Sequence, residues 1–149
     1  MLTVELGTIA TAVVAAVVAV VTWRQYLVDR ANLKLALFEK RLAVFVATRL
    51  FLTQILRAGR TSMPEVFDYR AGIGEAEFLF EQDLVDYLRE IDRRALSLWA
   101  NDETLKPMPV GEDRSALVET RMADLEWLSG EIPKLKGRFH PYLGFKEWT

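Results

Sequence analysis

Chemically reactive side chains are scarce in this sequence. It has no cysteine, which excludes disulfides, thiolate catalysis and cysteine-ligated metal. Its single histidine, His140, has no second histidine with which to share a metal ion. The formal net charge of −2 gives no overall basic balance that would favour nucleic acid. We therefore expect no catalytic residues, no bound metal, no cofactor and no nucleic-acid partner.

Strand signals are also missing. No segment alternates apolar and polar residues over the length of a strand with turn residues around it. The 149 residues suffice for one domain, and a hydrophobic content of 51% is too high for a disordered chain. Between Arg24 and Ala58 there is neither glycine nor proline, and the apolar residues recur at helical spacing. The sequence predicts an all-α fold.

A long uncharged run opens the chain. From Leu6 to Trp23 no residue is charged, and a helix of this length rises about 27 Å, close to the thickness of a bilayer's hydrocarbon core. A small domain could not bury such a helix on all faces. A cleaved signal peptide would begin with basic residues, whereas the only ionised side chain among residues 1–6 is that of Glu5. The run therefore predicts a transmembrane anchor over residues 1–23.

Basic and aromatic residues follow the run, which predicts its orientation. Arg24, Arg30 and Lys34 place the amino terminus outside and the remaining chain in the cytoplasm under the positive-inside rule. Trp23 and Tyr26 are suited to the headgroup region. The same three cations could attract anionic lipid. Alternatively, the basic segment 24–60 packs along the acidic segment 61–112; the two readings are compatible.

Small residues recur at every fourth position of the run, at Gly7, Thr11, Ala15 and Ala19. Such spacing lets two helix backbones approach closely in lipid. It also arises by chance in an alanine-rich segment. The spacing hints at self-association, and so at a homo-oligomer.

A long amphipathic helix is predicted over 24–59, continuous with the anchor and ending at Gly59. Its apolar residues alternate at spacings of four and three, interrupted at Arg49, as in a coiled coil. A stripe this wide packs either on the rest of the chain or on another copy. Its main members are Leu35, Phe38, Leu42, Phe45, Leu52 and Leu56.

Three further helices complete the predicted bundle, at 62–80, 82–100 and 113–130. Ser62 and Glu65 have the spacing of a capping box at the start of the first. We predict a corner near Glu81 between the first and the second. Pro133 and Gly137 loosen the chain after the third, so residues 131–149 are predicted as an aromatic tail that docks on the bundle.

Four segments carry a resemblance to other proteins. They are Asn32–Phe45 (Asn-Leu-Lys-Leu-Ala-Leu-Phe-Glu-Lys-Arg-Leu-Ala-Val-Phe), Phe78-Leu-Phe80, Asp86-Tyr-Leu88 and Pro141-Tyr-Leu143. Over about residues 24–145 the chain resembles a recurrent group of uncharacterised bacterial proteins, which pair a short hydrophobic span with a Lys-Leu-x-Leu-x-Leu-Phe-Glu-Lys-Arg helix. The group has no established activity. The resemblance implies a bacterial inner-membrane setting and no mechanism.

These patterns predict a function in binding rather than catalysis. We expect a membrane-anchored helical scaffold or an accessory subunit of a membrane complex. Its partners would be the lipid bilayer and either further copies of the chain or another membrane-protein subunit. The alternative is a membrane-tethered sensor or regulator, in stress or phage defence, that binds a small ligand or a cation. A concave site with converging acidic residues would favour the alternative.

Overall fold

The computed structural model describes residues 2–144 and, from residue 13 onward, their side chains. The described residues form helices and connecting loops, with no strand among them. The helices are α1 (Leu2–Ala58), α2 (Met63–Gly72), α3 (Ala76–Leu79), α4 (Gln82–Leu105) and α5 (Glu112–Leu143). The chain divides into two compact units, Met1–Leu37 and Phe38–Thr149. Helix α1 contributes to both, and each unit is described by itself.

No transmembrane helix is found among the residues whose side chains are described, because none of their helices is both long and apolar enough to cross a bilayer. In that range the uncharged stretch is 13–23, and Arg24, Asp29 and Arg30 follow it. Residues 1–12, which carried part of the prediction, lie outside the described side chains.

This finding contradicts the predicted transmembrane helix and the membrane location that was inferred from it. The fold class is corrected from a membrane-anchored bundle to an all-helical bundle without a transmembrane helix in the part searched. The predicted single-pass location in a bacterial inner membrane, with the amino terminus outside and the rest cytoplasmic, is wrong for the same reason. The all-helical part of the prediction is confirmed, because the described residues form helices joined by loops.

The turn between α1 and α2 follows from local chemistry. Gly59 adopts a positive φ of 62°, and its N–H donates to the carbonyl of Ile55 at 2.8 Å, which closes the end of α1. Ser62 then begins α2 with the predicted capping box, which is confirmed. The Ser62 N–H donates to Glu65 Oε2 at 2.8 Å, and the Glu65 N–H donates to Ser62 Oγ at 3.5 Å.

Helix α2 is shorter than predicted because it ends at Gly72. A Cβ atom built on Gly72 would lie 2.8 Å from the Cβ of Ala47, so α1 and α2 approach too closely here for any side chain. The short helix α3 follows, and the backbone is extended at Phe80 and Glu81 before α4 begins. The chain therefore turns near Glu81, where a corner was predicted.

Helix α5 does not end near residue 130, as predicted, but continues through Pro133 to Leu143. A proline inside a helix removes one backbone hydrogen bond and usually kinks or breaks the helix. Here Leu128 lies before the proline, Leu135 and Phe139 lie after it, and all three are buried. Burial on both sides of Pro133 compensates for the lost hydrogen bond.

The core of the second unit is closed by an aromatic cluster. The ring of Phe139 on α5 makes edge contacts with Phe45 on α1 at 5.3 Å and with Phe80 at 5.4 Å, both between ring centroids. Phe80 also contacts Tyr142 at 5.2 Å. Pairs of this geometry add about 0.5–1.5 kcal/mol each beyond the area that they bury. The last turns of α5 are thus fixed to α1 and to the α3–α4 corner.

A single arginine reinforces this contact. Arg41 Nε donates to the carbonyl of Leu79 at 3.1 Å, and its Nη1 donates to the carbonyl of Tyr142 at 3.4 Å. Its guanidinium also lies 5.7 Å from the centroid of the Tyr142 ring. The backbone ends of α3 and α5 are therefore joined to one side chain of α1.

Candidate interaction surface

In the first unit, α1 presents apolar side chains to its surroundings. Its valines and Leu27 are about half exposed or more, and alanines with Thr22 occupy the other side of the helix. No charged side chain interrupts residues 13–23. A helix that is apolar all round is normally covered by other structure. The exposed apolar residues are Val13, Val14, Val17, Val18, Val20, Val21, Leu27 and Val28.

The residues predicted to lie at a membrane interface form part of this same segment. Trp23, Arg24, Tyr26 and Arg30 are exposed, whereas Lys34 is half-buried and has an interaction partner. Three of the four exposed residues, Trp23, Tyr26 and Arg30, share a shallow groove on one helix face with Ala19 and Thr22. The groove has a small-residue floor between two aromatic rings.

The predicted small-residue spacing is only partly described. Gly7 and Thr11 lie outside the residues whose side chains the structure describes. Ala15 and Ala19 are exposed, and Ala19 lines the groove beside Trp23. The two small residues that are described therefore lie on the exposed surface of the helix.

The predicted coiled-coil stripe does not form one buried face. Leu52 is buried at 1% exposure, whereas Leu56 is 52% exposed. Leu35 and Leu42 are exposed, and Phe38 and Phe45 are half-buried. Some residues of the stripe are therefore buried in the bundle, and others are exposed.

The face of α1 that packs in the second unit is turned relative to the stripe, and consists of Val44, Thr48, Phe51, Leu52 and Ile55. The ring of Phe51 stacks on Tyr69 of α2 at 4.4 Å. Thr48 is polar but satisfies its hydroxyl by donating to the carbonyl of Val44 at 2.9 Å. Leu52 is the one stripe residue on this buried face, and the other four lie beside the stripe.

The other face of α1 in the second unit carries an open apolar groove. Leu42, Ala43, Val46, Ala47 and Leu50 line it, with Glu39 at its edge. Its volume is about 480 Å³. Leu50 is more than half exposed. Helix α1 therefore exposes apolar side chains in the second unit as well.

A polar seam joins α4 to α5. Arg94 donates to Glu90 Oε1 at 2.6 Å and to Asp124 Oδ1 at 3.1 Å, and lies 4.6 Å from the centroid of the Trp127 indole. Hydrogen bonds from Arg93, and secondarily from Arg94, lower the pKa of Glu90 to about 2. This network cross-links two helices.

Two acidic residues of α5 are buried, and sequence reasoning missed both. Asp124 is 7% exposed and Glu131 is 2% exposed. Glu131 Oε1 accepts from Lys134 at 2.9 Å. Burial, and then the nearby Glu131 carboxylate, raise the pKa of Tyr87. The signal was present in the sequence, because residues 124, 128, 131 and 135 share one helix face.

A polar cleft of about 580 Å³ lies between the α1–α2 turn, α4 and α5. Arg121 donates to the carbonyl of Gly59 at 2.6 Å and pairs with Asp102. Lys106 pairs with Glu103 at 2.6 Å in the same cleft. Because these charges are paired with one another, the cleft holds the turn in place rather than presenting converging acids to a ligand.

Among the described residues, no group of three or more His, Asp or Glu side chains could hold a metal ion. No known protein family, no curated protein and no solved structure matches the chain. The resemblance to uncharacterised bacterial proteins therefore stays a prediction.

Proposed function

We propose that the chain is a non-catalytic interaction protein that assembles with further copies of itself through the first part of α1. The observation that carries this proposal is the exposure of the apolar side chains between Val13 and Val28. Exposed apolar patches beyond a few hundred Å² are rare on monomers and mark interaction sites. The bundle of the second unit would be the part that such an assembly displays.

A second copy suits this surface for two reasons. One side of the segment carries valines and the other carries Ala15, Ala19 and Thr22, so two copies can approach closely along the small side. The groove beside Ala19 is rimmed by Trp23 and Tyr26, whose rings would gain area on contact with an apolar helix. In a symmetric pair, the apolar surface of each copy covers the same surface of the other.

Site-specific crosslinking tests the proposal. A photoreactive amino acid at Val14 of the full chain, in the cells that express it, should give a product at twice the 17.0-kDa chain mass. The same probe at Glu126 on the exposed side of α5 should not. Crosslinks to lipid alone, or to one foreign protein alone, would overturn self-assembly.

A charge variant provides the second test. Two copies of the chain with different tags should co-purify, and V17D/V18D should abolish co-purification because each copy would bury carboxylates in an apolar contact. The control V110D/V118D adds the same charges at exposed valines of the second unit and should leave co-purification intact. Equal co-purification of both variants would contradict the assignment to α1.

A further inference from the structure

The second unit carries a groove whose charges, unlike those of the polar cleft, are not paired with acids. It lies between α1 and the end of α5, and its volume is about 510 Å³. Phe45 and Leu143 supply apolar surface, and Arg49, Lys136 and His140 supply polar groups. No aspartate or glutamate is among the described residues that line it.

Several basic residues elsewhere in the unit are paired with carboxylates, whereas the two cations of this groove are not. Arg70, Arg94 and Arg121 each form an ion pair with a carboxylate. Within the described part of the chain, neither Arg49 nor Lys136 forms an ion pair, and the Arg49 guanidinium lies 5.7 Å from the centroid of the Phe45 ring. Two cations and an imidazole therefore line this groove with no carboxylate among its described residues.

The apolar part of the groove is held rigidly. Phe45 is fixed from behind by its edge contact with the buried ring of Phe139. Lys136, His140 and Leu143 occupy successive turns of α5, so they face the same side. Sites for small molecules combine apolar surface with a few polar groups in this manner.

We propose that this groove binds an organic carboxylate with an apolar body. The carboxylate would pair with Arg49, whose planar fork suits two oxygens, and with Lys136. His140 would donate a further hydrogen bond, and the apolar body would lie on Phe45 and Leu143. This inference is independent of the self-assembly through the first part of α1, because all lining residues belong to the second unit.

Ligand-observed NMR on the full chain tests the proposal with three probes: octanoate, neutral 1-octanol and inorganic phosphate. Octanoate should bind saturably and at least tenfold more tightly than either of the others. Shortening it to hexanoate and butanoate should weaken binding by roughly two- to fourfold for each CH₂ removed, as expected for apolar contact. Octanol binding as tightly as octanoate would overturn the role of the cations, and phosphate doing so would overturn the role of the apolar surface.

Charge reversal locates the site. R49E/K136E should weaken octanoate binding at least tenfold, because a carboxylate would then face two like charges. R57E/R60E is the matched control, since it reverses two exposed arginines that form no ion pair within the described residues and do not line the groove. Circular dichroism should show the helical content of both variants unchanged. If the control weakens octanoate as much as R49E/K136E does, or if neither does, the groove is not the binding site.

Discussion

The close approach of α1 and α2 at Gly72 predicts the response to one added methyl group. In Gly72→Ala the new Cβ would lie 2.8 Å from the Cβ of Ala47. Carbon atoms in contact prefer about 3.5–4.0 Å, so the helices must separate by about 1 Å at this point. The stacked rings of Phe51 and Tyr69, 4.4 Å apart, belong to the same helix pair and would be displaced.

Two opposing effects set the size of the change. Overpacking of a tight contact costs about 1–3 kcal/mol. Alanine in place of glycine recovers at most about 1 kcal/mol of helix propensity, and less at the last residue of a helix such as Gly72. With a propensity gain of about 0.5 kcal/mol at this position, we expect Gly72→Ala to lower the free energy of unfolding by about 0.5–2.5 kcal/mol.

Urea denaturation followed by circular dichroism measures this change. The double variant A47G/G72A removes the opposing methyl, and should be more stable than the sum of its two single variants implies. Gly130→Ala is the matched control, because a Cβ there meets nothing within 4 Å and the residue lies inside α5. It should raise stability by up to about 1 kcal/mol. If Gly72→Ala stabilises as much as Gly130→Ala, or if the double variant shows no coupling, the steric reasoning is wrong.

Three further substitutions have defined outcomes. Arg41→Met removes a donor to the carbonyl of Leu79 and should lower the free energy of unfolding in urea by about 1–3 kcal/mol. Phe139→Ala, at a fully buried ring, should lower it by about 3–5 kcal/mol. The pKa of Glu90 is lowered to about 2 from its usual 4.5 by Arg93, so this carboxylate contributes stability above pH 4.5 and loses it as the pH falls towards 2. Glu90→Gln should therefore weaken the dependence of the urea midpoint on pH over that interval.

Each of these outcomes has a clear counterpart that would contradict it. Wild-type stability in Arg41→Met would mean that water replaces the arginine at the carbonyl groups. A loss below about 1 kcal/mol in Phe139→Ala would mean that the aromatic cluster does not close the core. If the urea midpoint of Glu90→Gln depends on pH as that of the wild type does, the Glu90 carboxylate does not cause the loss of stability in acid.

Local signals in the sequence are sufficient to predict structure where a short segment determines its own conformation. The spacing of Ser62 and Glu65 predicted the capping box, because both partners lie within one helical turn. Gly59 was identified as the end of the first helix, because a left-handed residue favours glycine. Neither inference needed knowledge of what the segment packs against.

The register of α1 could not be predicted in this way. Leu42 and Leu56 fit a heptad as well as Leu52 does, yet Leu52 alone is buried. The positions of α2 and α5 decide which face is covered, and periodicity does not encode them. Pro133 was misjudged for the same reason, since its local preference to end a helix is overcome by burial on either side.

The groove with Arg49, Lys136 and His140 was also beyond a reading of the sequence. Arg49 is separated from the other two by most of the chain, and the packing of the end of α5 on α1, which includes the contact of Phe139 with Phe45, brings them together. The buried acids Asp124 and Glu131 were within reach, because they share a face with buried leucines.

The hydrogen bond from Arg41 to the carbonyl of Tyr142 bears on the order of events during translation. The two residues are 101 positions apart, and the edge contact of Phe45 with Phe139 is almost as distant along the chain. A ribosome must therefore release the chain through Tyr142 before the bundle can close. Until then the nascent chain leaves Phe45 and Phe80 without their aromatic neighbour, in the interval when a chaperone would find them accessible.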